Sequence, residues 1–127
     1  MRVWLAAIAV VLAPVPAMAQ DASDAALALD ALHAAAARAD APAYFDRLDP
    51  DLTWIGNDTT ERWTRDGFIA FAEPFFARGE GWSYAARERL VVLAPDPCEC
   101  LAWADEVLDS ATYGTAVGNA VMRRGED

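Results

Sequence analysis

The chain has 127 residues, ten basic against twenty acidic side chains and a formal net charge of −10, and every basic residue is an arginine. A chain of this length holds one domain with one core and room for about one site. Its acidity excludes nucleic acid and anionic membrane surfaces as partners, because neutralising phosphates requires clustered cations that are absent here.

The first twenty residues, MRVWLAAIAVVLAPVPAMAQ, run from a basic start at Arg2 through an apolar stretch to prolines and then Ala17, Met18 and Ala19. This order is that of a secretory signal peptide, so cleavage is expected after Ala19, leaving residues 20–127 as a periplasmic or secreted domain. The uninterrupted apolar stretch falls short of the roughly 20 residues that a spanning helix needs, so no membrane attachment is expected after cleavage. No cysteine follows the cut to carry a lipid. Loss of Arg2 makes the remaining chain one unit more negative.

From Ser23 to Ala39 the sequence is rich in alanine, the best helix former, with Ser23 and Asp24 suited to a helix start. Leu29, Leu32 and Ala36 recur at helical spacing and predict an amphipathic helix. Asp40 then caps a second, shorter helix with Pro42 in its first turn, and Tyr44, Phe45 and Leu48 form its expected buried face. LTWIG and TTERW have strand composition and predict a hairpin turning near Asn57 and Asp58, with Trp54 and Trp63 in its strands. Thr64 is the expected cap of a third helix whose Phe68, Phe71, Ala72, Phe75 and Phe76 predict a buried stripe. Pro74 is expected to bend or end that helix, and Gly79 and Gly81 to close the segment.

Strands are predicted over Trp82 to Leu93, Cys100 to Leu108 and Tyr113 to Met122, the first two joined by a turn at APDPC. Helices followed by an antiparallel meander make an α+β domain with its helices on one face of a curved sheet. Cys98 and Cys100 are separated by one residue, and a disulfide across so short a loop is usually strained, so two ordinary thiols are expected. Lone His33 is far away in sequence, so no metal site is expected. No phosphate loop, nucleophile motif or cofactor fingerprint is present, and no cofactor is expected.

The segments TERWT (Thr60 to Thr64), GWSY (Gly81 to Tyr84), ARER (Ala86 to Arg89) and WADE (Trp103 to Glu106) resemble the SnoaL-like branch of the nuclear transport factor 2-like (ketosteroid isomerase-like) superfamily. The resemblance extends from Asp24 to Arg124. It implies a cone of antiparallel sheet curled around a long helix, with a pocket between them. It also implies a further strand after RRGED, carrying a tryptophan and a tyrosine, so residues 20–127 are expected to be a truncated version of a longer domain or one completed by a partner strand. The superfamily's isomerases place a carboxylate base where this chain has Gly56 and a tyrosine about where it has Leu32, so that constellation is not matched. One such fold hosts many activities, so function has to be argued from the site.

The expected pocket is lined by Trp54, Asp58, Trp63, Tyr84 and Trp103, and the candidate proton-transfer groups are His33 and Asp105. Asp105 shares a sheet face with Trp103, and Glu106 shares the other with Ala104, so at most one of the two acids points inward. If Trp103 faces the cavity, Asp105 is the buried acid. Desolvation would then favour its neutral form, as a general acid or base near neutral pH requires. The blander readings are a half-buried His33, aromatic side chains that serve only as core, and an Arg87 or Arg89 paired with Asp105 or Glu106 across the strands. The functional expectation is an exported domain binding a small apolar ligand, working as a homodimer. The alternatives are a cofactor-independent isomerase, cyclase or hydrolase-type enzyme using His33 or Asp105, and a dimeric association module without ligand.

Overall fold

The computed structural model describes residues 17–56, 58–95 and 100–125. Most of the expected leader, Asn57 of the hairpin turn and Cys98 lie outside these residues. Eight elements follow in order: α1 (Ala17–Ala37), α2 (Ala41–Phe45), β1 (Thr53–Ile55), β2 (Arg62–Thr64), α3 (Arg65–Ala77), β3 (Ala85–Leu93), β4 (Leu101–Ser110) and β5 (Gly114–Arg123). β1 and β2 form a two-stranded hairpin, and β3, β4 and β5 form an antiparallel meander with β4 in the centre. The architecture is the expected α+β arrangement of helices and antiparallel sheet. Among the described residues no helix is long and apolar enough to cross a membrane.

α1 begins at Ala17, ahead of the Ser23 and Asp24 start expected from sequence, because the intervening residues are good helix formers that give the helix no reason to stop. It ends where Ala39 takes left-handed backbone (φ 52°). That turn lets the Ala39 N–H reach the Ala36 carbonyl at 3.0 Å and the Asp40 N–H reach the Ala35 carbonyl at 2.9 Å, satisfying carbonyls the helix would leave open. Asp40 also caps α2, accepting from the Ala43 N–H at 3.2 Å, with Pro42 in the first turn as anticipated. Gly81 lies against the end of α1, and a Cβ there would overlap the Ala36 carbonyl oxygen, so only glycine permits the approach.

The hairpin register sets Trp54 opposite Trp63. Both rings turn toward α3: Trp54 stacks on Phe68 at 4.0 Å between centroids, and Trp63 lies 6.3 Å from Phe68 and 4.7 Å from Phe71. Thr64 caps α3 through its hydroxyl, which accepts from the Gly67 N–H. The helix runs through Pro74 to Ala77 and closes on Gly79 (φ 72°), whose N–H reaches the Phe76 carbonyl while the Glu80 N–H reaches that of Phe75. Its buried stripe is narrower than predicted. Phe68, Ala72 and Phe76 are buried, whereas Phe71 and Phe75 are exposed at 47% and 37%. α3 lies at the surface and buries one row of residues, so the flanking aromatic row meets solvent.

Trp82 also departs from expectation. It precedes β3 instead of belonging to it, and its ring sits in the helical cluster, 5.0 Å from Phe76 and 5.6 Å edge-on to Tyr44. Tyr44, Phe45, Leu48, Phe68, Ala72 and Phe76 with Ala35 and Ala36 make this core. The sheet contributes a second buried layer, Ala102, Ala104, Glu106 and Leu108 of β4, while Trp103 and Asp105 between them face out. Cys100 is disulfide-bonded, against the expectation of ordinary thiols.

Phe68 is 1% exposed, so Phe68→Ala should lower unfolding free energy by about 3–5 kcal/mol, the usual cost of a core aromatic truncation, and Phe71→Ala by far less; urea denaturation reads both. Burial pushes the Tyr44 hydroxyl up to about 12, with Trp82 opposing only in part. The folded chain therefore disfavours tyrosinate, so this contribution is complete below the ordinary value of about 10 and is lost as pH rises toward about 12. Denaturation across that window should show the decline, and Tyr44→Phe should reduce it.

Candidate functional site

β4 alternates mostly small inward residues with Glu106, a residue only 4% exposed. Its cross-strand neighbours are Arg89 on β3 and Gly118 on β5. α1 packs against β3 and offers Ala26, Asp30 and His33, residues one turn apart on one helix face. These groups close into a network. Arg89 donates from Nε and Nη2 to Glu106 Oε2 at 3.0 and 2.8 Å. Its Nη1 donates to Asp30 Oδ1 at 2.8 Å and to the Ala26 carbonyl at 3.1 Å. His33 Nε2 lies 3.0 Å from Glu106 Oε1, and the imidazole is 20% exposed.

Burial opposes the charge on Arg89, but hydrogen bonds to Glu106 and Asp30 and their negative charges overcome that effect and raise its pKa above the ordinary value. With the imidazole neutral, two carboxylates and one guanidinium leave the site one unit negative. On the other side Gly118 sends no side chain toward Glu106; a Cβ there would come within 2.9 Å of the Leu108 Cδ1 atom. The inward positions of β5, Ala116, Gly118, Ala120 and Met122, are only half-buried, because α1 lies over β3. The inner sheet face thus has a polar end at Glu106 and His33 and a partly open floor of mostly small residues.

The conditional expectation that Trp103 faces inward with Asp105 is reversed. Both are exposed on the outer face, and Asp105 accepts from Asn119 Nδ2 at 2.7 Å. The physical reason is the two-residue alternation of β4: Ala102 and Ala104 occupy the closely covered side, so the odd-numbered residues go out. The other expected pocket residues do not converge. Trp54 and Trp63 belong to the helical cluster. Asp58 sits in the exposed hairpin turn, where the backbone N–H and hydroxyl of Thr60 hold its carboxyl below the usual range. Tyr84 stacks on Tyr113 at 5.9 Å, and burial followed by the neighbouring Tyr113 raises its pKa.

Of the predicted groups, only His33 joins the Glu106 network. Of the open pairings of Arg87 or Arg89 with Asp105 or Glu106, the structure forms Arg89 with Glu106, and Glu106 is the one of the two candidate acids that points inward. The signal was the alanine pair before Glu106, small residues that admit a helix above one face of the strand.

The fold and this buried charged network define an α+β domain whose helix and sheet enclose a polar centre. The family model for the SnoaL-like domain matches residues 26–127, and the chain belongs to that family. A solved structure from Xanthomonas campestris, described as a calcium/calmodulin dependent protein kinase II association domain, is similar at 20% identity with a TM-score of 0.47, covering 78% of this chain and 70% of that one. Comparison with curated proteins gives no match.

Removing the Glu106 charge while keeping its shape weakens the bonds to Arg89, which keeps Asp30 as its partner, so Glu106→Gln should destabilise by about 1.5–3 kcal/mol, the range for hydrogen bonds to a charged group. Asp105→Asn, at an exposed position, should leave denaturant midpoints nearly unchanged.

Proposed function

We propose that this chain is a small-ligand-binding domain whose site lies between α1 and the inner sheet face, with His33 as its polar contact and Ala116, Gly118 and Ala120 as its floor. One observation carries the reading: the buried Glu106 carboxylate is held by Arg89 and His33 beside a strand that offers mostly small, half-covered side chains. Membership of the SnoaL-like family supports it. The floor suits a mostly apolar ligand body, and the reading needs no cofactor.

The same geometry favours a second reading, a cofactor-independent enzyme that moves a proton through His33. A carboxylate bound to one imidazole nitrogen orients the ring and stabilises the charge it gains when the other nitrogen takes a proton. Asp105, on the outer face, has no place in that arrangement.

The domain is proposed to act as an exported homodimer. Cleavage after Ala19 would remove only the first residues of α1 and leave 20–37 helical. The outer sheet face carries Val92, Trp103 and Val121 in one cross-strand row, with Leu90 and Val117 nearby, all exposed. An apolar row of this kind is suited to a second copy of the chain.

Native mass spectrometry of protein purified from the periplasm tests these points together. The expected species is a dimer lacking residues 1–19 and retaining a small molecule. Trp103→Glu should shift it to monomer, and His33→Ala should lose the small molecule. An empty dimer that still tolerates change at His33 would replace the binding reading with a ligand-free association module.

A further inference from the structure

We infer that His33 is preset as a hydrogen-bond acceptor through Nδ1, so that the site selects a ligand by an O–H or N–H hydrogen on an apolar body and rejects carboxylates. This rests on the ligand-binding reading above. The argument starts from Arg89, which has donors only and meets Glu106 as an ion pair, taking Oε2 twice. Glu106 is therefore a carboxylate with acceptor capacity alone. The hydrogen between His33 Nε2 and Oε1, 3.0 Å apart, must come from the imidazole.

In the neutral ring a proton on Nε2 leaves a lone pair on Nδ1. Among the described residues Nδ1 has no hydrogen-bond partner, and the ring keeps 20% of its surface exposed. An acceptor of this kind is matched by a donor on the ligand.

Charge and the engagement of Arg89 disfavour the opposite class. Arg89 is the one cation of the network, and all three of its nitrogens already donate: Nε and Nη2 to Glu106, Nη1 to Asp30 and Ala26. Four of its five N–H groups are engaged, and with the side chain 15% exposed only one Nη2 N–H is left to meet an incoming anion. A carboxylate would instead meet the lone pair of Nδ1 and the net negative charge that Asp30 and Glu106 leave in the network. An apolar ligand lacking a donor would leave Nδ1 unpaired while covering it, which costs free energy.

The test uses the full chain, uniformly labelled in nitrogen-15, at pH 8, where an ordinary imidazole is neutral. His33 is the only histidine, so its two ring nitrogens give the only imidazole signals. The expected pattern is a protonated Nε2 and an unprotonated Nδ1, and a proton on Nδ1 would overturn the inference. Phenol, anisole and benzoate are then titrated as probes that share a ring and differ in donor and charge. Phenol should move the Nδ1 signal and bind roughly five- to tenfold tighter than anisole, the worth of one net hydrogen bond, with benzoate weakest. Equal binding of phenol and anisole at β5 would overturn the donor selection and leave the binding reading standing. If no probe perturbs His33 or the β5 backbone, both fall.

Discussion

The interaction on which the rest depends is the buried Glu106 carboxylate. A strand that places an acid on its covered face has to bring cation and donors to it, because an isolated charge cannot stay in so dry a place. Arg89 supplies the charge from the adjacent strand, and His33 and Asp30 complete the network from α1. One side chain thereby fixes the distance of helix from sheet and the rotation of α1 about its axis. The same network sets the face of His33 that remains for a ligand, so packing and recognition are the same constraint.

Around that centre the apolar side chains divide into two bodies. The helical cluster gathers Tyr44, Phe45, Phe68 and Phe76 with Trp54 and Trp82, and its rings meet at tilted and edge-on angles with one close stack. The sheet buries mostly alanine and leucine on its inner face and leaves Leu90, Val92, Trp103, Val117 and Val121 to solvent. The aromatic mass thus stabilises the helical end, while the ligand floor is kept shallow by small side chains. Arg123 ties β5 to the segment after α2 through Asp49 and Asp51 at the surface, where water and salt weaken such pairs.

Much of the fold was legible. The Asp40 cap with Pro42 located α2, the Trp54 and Trp63 hairpin followed from strand composition, and Thr64 and Gly79 marked the ends of α3, since each depends on residues close in sequence. The site was less legible. Placing Trp103 inward required knowing which side of β4 the helix covers, and alternation alone gives two equivalent answers. Trp82 looked like a strand residue because aromatic propensity is the same in a strand and in a core corner. Phe71 and Phe75 satisfied a helical stripe without being buried, because spacing says which residues share a face and not how wide a face the neighbours cover.

By itself the sequence determined the class of domain, the order of its helices and strands, the caps and turns, and the family, because these rest on local backbone preferences, periodicity and short motifs. Only the tertiary structure decided that Glu106 and not Asp105 is buried, that Arg89 and His33 share it, and that the five expected pocket residues do not meet in one site. Those outcomes depend on contacts between residues more than fifty positions apart, such as Asp30 with Arg89 and His33 with Glu106, whose partners are chosen by how α1 lies on the sheet. No local pattern in the chain carries that rotation. The desolvation of one carboxylate does.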